Sequence, residues 1–347
     1  MYNPFVGIYK FILALLVVAI HVEPFSGDLA FYTNNCLARI AVPSFFVLSA
    51  YFLFDKLINN DWDAKIFWKN QKHLAKYYGI WLLLHSPVVL TRLWETATDI
   101  PNYIWLVVQA VCLKGPYGAL WFLPATMMAV ALVYWIGKKC EPYVCLVISF
   151  PLFFFAALET EYFGLIEDIA WMEIVNNGLV AVFGWLANGL TFGFFFCSIG
   201  YYIAYTKNKN RTIQIDMIKL VLAAILLFVE TTIVRDYKLA VSYGAMLFLI
   251  PSVYYIVQIL LRLPKTADSN FIAKARFLQN LSLLIYPMHF AIMELMEFFL
   301  RDNKTYMSNT VLQYIVVCTI NLALGTLIIY LGEKKNLKIM KMLYGKA

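Results

Sequence analysis

Apolar residues along this chain fall into long blocks separated by short charged breaks. Ten blocks read as helices: 6–24, 38–56, 74–91, 117–137, 142–158, 186–205, 217–234, 240–261, 281–299 and 309–331. Most have the ~17 to 25 residues that a helix needs to cross a hydrocarbon core of about 30 Å. Segment 102–113 is also apolar but too short to span, which predicts an interfacial or re-entrant piece. The pattern therefore predicts an all-α, polytopic membrane helix bundle of about ten transmembrane helices. It predicts a single domain over 1–347, with no stretch long enough for a separate soluble domain. The absence of low-complexity tracts and of a convincing internal repeat counts against inverted-repeat transporter folds. No small-residue cleavage site follows the first block, so it is expected to be a retained helix rather than a signal peptide.

Composition agrees and adds orientation. Hydrophobic residues make up 62% of the chain and charged residues 14%, with a mean hydropathy of +0.70; a soluble domain carries roughly 25% charged residues. The formal charge of +7 matters less than its distribution. With both termini in the cytoplasm, 21 of the 28 Lys and Arg fall on that side, at Lys10, in 55–76, at Lys138 and Lys139, in 207–219, in 262–276 and after 333. The other face keeps seven cations and most of the acids, including Glu159, Glu161, Glu167, Asp168 and Glu173. That bias predicts cytoplasmic termini and places an acidic, aromatic segment, 159–185, outside, where it could cap the bundle. The six cysteines are scattered, with neither a Cys-x-x-Cys pair nor a nearby histidine at ligand spacing. They read as small apolar residues, and no metal site is expected. Nothing points to nucleic acid; the lipid bilayer is the expected surround.

Ionisable groups within apolar blocks are the candidate chemistry, because an ionisable side chain in lipid costs several kcal/mol unless it is partnered or faces water. They are His21, His85, Glu230, His289, Glu294 and Glu297. Lys10 and His21, in "YKFILALLVVAIHVEPF", are eleven residues apart, about 16.5 Å of rise and about three turns, so they share a helix face. A long anionic cofactor entering from the cytoplasm could rest its charge on Lys10 and bring its reactive end to His21. The plainer reading is a snorkelling lysine and a histidine bonded to a backbone carbonyl. His289, in "SLLIYPMHFAIME", follows Pro287 and Tyr286 and reads either as a site residue or as a structural hydrogen bond. Glu230, in "LLFVETTIV", lies about one turn from the outer end of its helix and should face a partner or water. His85, just before Pro87, reads as structural. Glu294 and Glu297 lie near the outer surface, where solvation would suffice.

The stretches "KFILALLVVAIH" and "RIAVPSFFVLSAYFLF" resemble the opening of the acyltransferase-3 family of integral membrane proteins. That family pairs a basic residue, usually arginine, with a histidine eleven positions later, then has an Arg-x-x-x-Pro-x-Phe-Phe stretch ending in Ser-Gly-Tyr. "LWFLPA" at 120–125 and "SLLIYPMH" at 282–289 extend the resemblance over essentially the whole chain. Together with "NGLTFGFFFCSIG" from Asn188 and "FVETTIV" around Glu230, they make it most similar to the membrane half of the vancomycin-resistance membrane serine racemases. With an end at residue 347, no racemase domain is expected to follow.

The resemblance implies transfer of an acyl group, usually acetyl from cytoplasmic acetyl-CoA, to a hydroxyl or amine of an extracytoplasmic, cell-envelope acceptor. In these terms His21 matches the catalytic histidine, as general base or as transient acyl carrier. Lys10 matches the basic position and Arg39 the arginine opening the second motif, both expected to serve the cofactor. Glu230, His289, Tyr286, Trp121 and Asn188 are the expected acceptor-binding residues. Two departures stand out. Lys10 replaces an arginine and loses bidentate phosphate recognition while keeping the charge. Ala50 replaces the glycine after Ser49, which would crowd a close helix contact. The expected partners are acyl-CoA and a carbohydrate or amino-acid-derived acceptor, and the expected location is the bacterial cytoplasmic membrane. A transporter of a small amino acid such as serine, with Glu230 meeting the ammonium, is the competing reading. A non-catalytic relative that only binds an envelope partner is a third.

Overall fold

The computed structural model describes residues 2–115, 118–207, 212–264 and 268–346. Lys209, Arg211 and Lys265, three of the expected cytoplasmic cations, lie outside the described residues, as does Tyr117 at the start of an expected span. The described chain is helical, without a strand. Its helices are α1 (Pro4–Val22), α2 (Gly27–Tyr32), α3 (Ala41–Ile58), α4 (Ala64–Thr96) and α5 (Ile100–Gln109). There follow α6 (Phe122–Gly137), α7 (Pro142–Thr160), α8 (Ala170–Phe183), α9 (Phe194–Thr206) and α10 (Ile213–Asp236). The last five are α11 (Leu249–Arg262), α12 (Ser269–Leu300), α13 (Lys304–Met307), α14 (Thr310–Glu333) and α15 (Lys338–Met342).

Six stretches are long and apolar enough to cross a membrane: Pro4–Val22, Gly27–Ile58, Pro142–Thr160, Ile213–Asp236, Ser269–Leu300 and Thr310–Glu333. Each of the ten expected blocks overlaps a helix. The remaining four correspond to α4, whose first turns carry Lys65, Lys69 and Lys72, and to the shorter α6, α9 and α11. The apolar piece at 102–113 forms α5 and a π-helical turn, Ala110–Lys114.

One boundary differs for a clear reason. Block 240–261 becomes helical only at Leu249, because the preceding backbone N–H groups are taken elsewhere. Val241 donates to the Thr160 carbonyl at 2.8 Å, and Ala245 to a Glu161 carboxyl oxygen at 2.7 Å. Leu247 and Phe248 donate to the two oxygens of Glu230, at 2.7 and 2.9 Å. Two buried carboxylates thus hold an apolar stretch in irregular form, which hydropathy does not register.

The chain folds into two compact units, Met1–Val42 with Gln258–Ala347, and Pro43–Val257. Their boundaries fall inside α3 and α11, so the expected single domain over 1–347 contains two units. In the first, α1 packs along α12, and α14 packs on both. Helix α1 starts cleanly: Asn3 Oδ1 accepts from the Phe5 N–H at 3.1 Å, and proline occupies the first turn, where its missing donor is harmless. Gly7 sets the closeness of α1 and α12, since a Cβ there would lie 2.8 Å from the Ala275 carbonyl oxygen. In lipid such pairs are held by van der Waals packing rather than by the hydrophobic effect, so close approach decides stability. Leu13 and Val18 of α1 and Leu284 and Ile285 of α12 are fully buried.

The second unit packs α7 against α9, and α6 against α4, α9 and the π-helical turn Gly189–Gly193. Ala50 is accommodated here by Gly200 of α9, whose added Cβ would fall 2.7 Å from the Ala50 Cβ. The small residue demanded by that contact stands on the opposite helix.

Candidate active site

The first unit gathers a histidine pair. His21 lies in the last turn of α1, and His289 lies on α12 beyond Pro287, which the helix passes without ending. Because α1 runs along α12, the two imidazoles meet with ring centroids 5.4 Å apart and planes inclined by 26°. Phe290 closes on His21 at 4.4 Å. His289 is completely buried, and its Nδ1 lies 3.1 Å from the Ile285 carbonyl. A carbonyl only accepts, so Nδ1 carries the proton and Nε2 is the basic nitrogen. That Nε2 is buried without a hydrogen-bond partner among the described residues. His21 is exposed and makes no hydrogen bond to a described residue, so the carbonyl-bonded reading applies to His289 and not to His21.

His21 opens onto a cavity of about 240 Å³. Its polar members are His21, Glu297 of α12, Tyr306 of α13 and Gln313 of α14; Val22, Met293, Met307 and Val317 form the apolar walls. Helix α13 is held in place by its cap, where Asn303 Oδ1 accepts from the Tyr306 N–H at 3.1 Å. Gln313 Nε2 donates to the carbonyls of Tyr306 and Met307, at 3.0 and 3.3 Å, which leaves its amide oxygen as the polar atom it can still offer. Burial, and then the Glu297 charge, push the Tyr306 phenol up.

Lys10 is half-buried on α1, eleven residues before His21, and is not among the cavity's lining residues. Arg39 sits in the turn Ala38–Ile40, which packs on α1, and donates to Asn35 Oδ1 at 3.4 Å. Tyr286 is half-buried on α12, one turn before His289.

The other expected acceptor residues belong to the second unit and have internal partners. Besides the two N–H groups ahead of α11, Glu230 accepts a hydrogen bond from the Tyr162 hydroxyl. Asn188 caps the turn Gly189–Gly193: its Oδ1 accepts from the N–H groups of Leu190 and Thr191, at 2.8 and 3.1 Å, and its Nδ2 donates to the Trp185 carbonyl. The Trp121 ring packs against Trp185 and Phe46. His85 is buried beside Trp81. Among the described residues no three His, Cys, Asp or Glu side chains are grouped as metal ligands.

Sequence reasoning gave Glu297 only a solvated role and did not single out Tyr306 or Gln313. None of the three carries a local signature: their meeting depends on α13 and α14 folding back over the end of α1. A second overlooked constellation lies within the second unit, where Lys56 of α3 and Lys69, Asn70 and His73 of α4 line a cavity of about 400 Å³ with Ser49. The charges were legible as cytoplasmic cations, but not their convergence.

Comparison with known proteins identifies the family of the chain. An "amino-acid racemase" of Enterococcus faecalis is 26% identical over 73% of this chain and 35% of its own length. A second amino-acid racemase of the same organism is 22% identical over 99% of the chain and 48% of its own length. A "serine/alanine racemase" of Enterococcus gallinarum is 24% identical over 97% of the chain and 47% of its own length. The chain thus spans half or less of the length of the curated relatives it matches. No solved structure matches it. The family model described as "acyltransferase domain" matches residues 3–330, across both units and including His21, Lys10 and His289, so the chain belongs to the acyltransferase-3 family of membrane proteins.

Proposed function

We propose that this protein moves an acyl group, acetyl in the simplest case, from cytoplasmic acyl-CoA to a hydroxyl or amine of an extracytoplasmic cell-envelope acceptor, with His21 as the catalytic residue. One observation carries the reading: an imidazole with no hydrogen bond to a described residue opens into a polar cavity beside a second, buried imidazole. In the direct mechanism the acceptor oxygen attacks the thioester carbonyl while a His21 nitrogen takes its proton. The C–O bond forms, the C–S bond breaks, and the coenzyme A thiolate recovers the proton from the imidazolium. If His21 instead carries the acyl group, the same proton balance is divided over two steps. His289, basic at Nε2 and stacked on the reacting ring, is a positioning residue for it.

Lys10 and Arg39, in the same unit as His21, serve the donor side. The orientation follows the charge bias, with both termini cytoplasmic in a bacterial membrane, so that His21 lies toward the outer face. In proteoliposomes loaded with acetyl-CoA, the wild type should transfer label to an added acceptor and His21→Ala should lose at least 10²-fold in turnover, the usual scale for a lost acid–base group. Undiminished turnover in a folded His21→Ala protein overturns the mechanism, and acid-labile label retained on His21 would identify the carrier route. The name of one relative, serine/alanine racemase, and the small size of the cavity favour one second reading, passage of a small amino acid. Serine uptake into acetyl-CoA-free proteoliposomes would establish it.

A further inference from the structure

Apart from the Tyr306 hydroxyl and the one N–H of the His21 ring, the cavity offers a ligand acceptors. Glu297 forms neither an ion pair nor a hydrogen bond with any described residue. Arg301, the nearest cation along its helix, is turned to Asp302 at 3.8 Å and over the Phe298 ring. The Gln313 amide nitrogen is committed to two backbone carbonyls, so its oxygen is what remains. A carboxylate and an amide oxygen in a partly apolar pocket are complementary to an ammonium group and not to a phosphate or carboxylate. Size narrows the choice further. About 240 Å³ lies below the ~300 to 1,000 Å³ of pockets that enclose drug-sized ligands, so an amino-acid-sized group fits and an enclosed disaccharide does not.

From these observations, and resting on the acyltransferase reading, we infer that the His21 cavity is the acceptor subsite and that it selects a small acceptor, or the small end of a larger one, bearing an ammonium group. Glu297 binds the ammonium, Gln313 accepts one of its hydrogens, and His21 meets the hydroxyl to be acylated. The subsite belongs to α12, α13 and α14 and does not involve Glu230.

The test compares ethanolamine with ethylene glycol, its neutral counterpart, as acceptors for acetyl-CoA in proteoliposomes. The wild type should show a KM for ethanolamine at least tenfold below that for ethylene glycol. Glu297→Gln should raise the ethanolamine KM about tenfold and leave the glycol KM where it was, while Glu297→Asp should restore the preference. Glu297 is exposed, so these variants should fold. Equal KM values in the wild type, or an ethanolamine KM indifferent to Glu297→Gln, overturn the subsite while leaving acyl transfer standing. Should the wild type cleave no acetyl-CoA, the catalytic reading fails by itself. Thermal stabilisation of the purified protein by ethanolamine over ethylene glycol, lost in Glu297→Gln, would still support the ammonium site, and its absence would remove it.

Discussion

Glu161 shows how one side chain couples local chemistry to pH. It is fully buried just beyond α7 and accepts hydrogen bonds from Thr160, Ser242 and the Ala245 N–H. Burial moves its carboxyl from an ordinary 4.5 up to about 7, against the opposing pull of those hydrogen bonds. The unfolded chain ionises near the lower value, so between the two the folded protein holds the extra proton. Stability therefore falls as pH rises across that window, by up to about 3 kcal/mol, and is flat above it. Thermal unfolding in detergent should give a higher Tm at pH 5 than at pH 8, and Glu161→Gln should flatten the difference. A slope unchanged in the variant would assign it to another group. The histidines make a related point: His21 and His289 were both legible as polar residues in apolar runs, but only packing decides which nitrogen finds a hydrogen-bond partner.

At the scale of elements, the helices with strong local signals form where their residues dictate. Asn3 and Pro4 open α1, Asp63 caps α4 through the Lys65 N–H at 2.9 Å, and Asn309 caps α14 through the Leu312 N–H at 2.9 Å. Helix α11 starts differently, on a carboxylate borrowed from α10. Removing it leaves two donors ahead of α11 without their acceptor, so Glu230→Ala should cost on the order of 2 to 4 kcal/mol, with Glu230→Gln milder. Denaturation of purified variants checks this; an unshifted midpoint would mean that water replaces the carboxylate. Close helix contacts give a second prediction. Gly7→Leu puts a side chain where even a Cβ meets the α12 backbone, and it should lower expression and Tm more than Gly7→Ala does.

At the scale of the molecule, the N- and C-terminal segments form one unit, and it is this unit that holds the histidine pair and its cavity. His21 and Met293 lie 272 positions apart in the sequence and meet through the packing of α1 on α12, so the two ends of the chain have to come together before the candidate site exists. Truncation after α12 should therefore abolish activity by removing Gln313 and the wall that α14 provides, even though Lys10, His21 and His289 remain. The charge bias makes a separate prediction: a fluorescent protein fused after residue 347 should fluoresce, as cytoplasmic fusions do, and a dark fusion with normal membrane levels would reverse the orientation.

Sequence alone determined the helical, membrane-embedded character of the chain, the approximate place of its apolar helices, and Lys10, His21 and His289 as residues worth attention. Those properties rest on hydropathy, on helix periodicity and on the cost of polar groups in lipid, all of which act locally. Only the tertiary structure decided that residues 239–248 stay irregular, that Glu230 and Asn188 spend their polar atoms on backbone, and that Glu297, Tyr306 and Gln313 converge on His21. Each of these depends on hydrogen bonds and packing between residues distant in the chain, and no local pattern encodes which distant partner a polar atom will find.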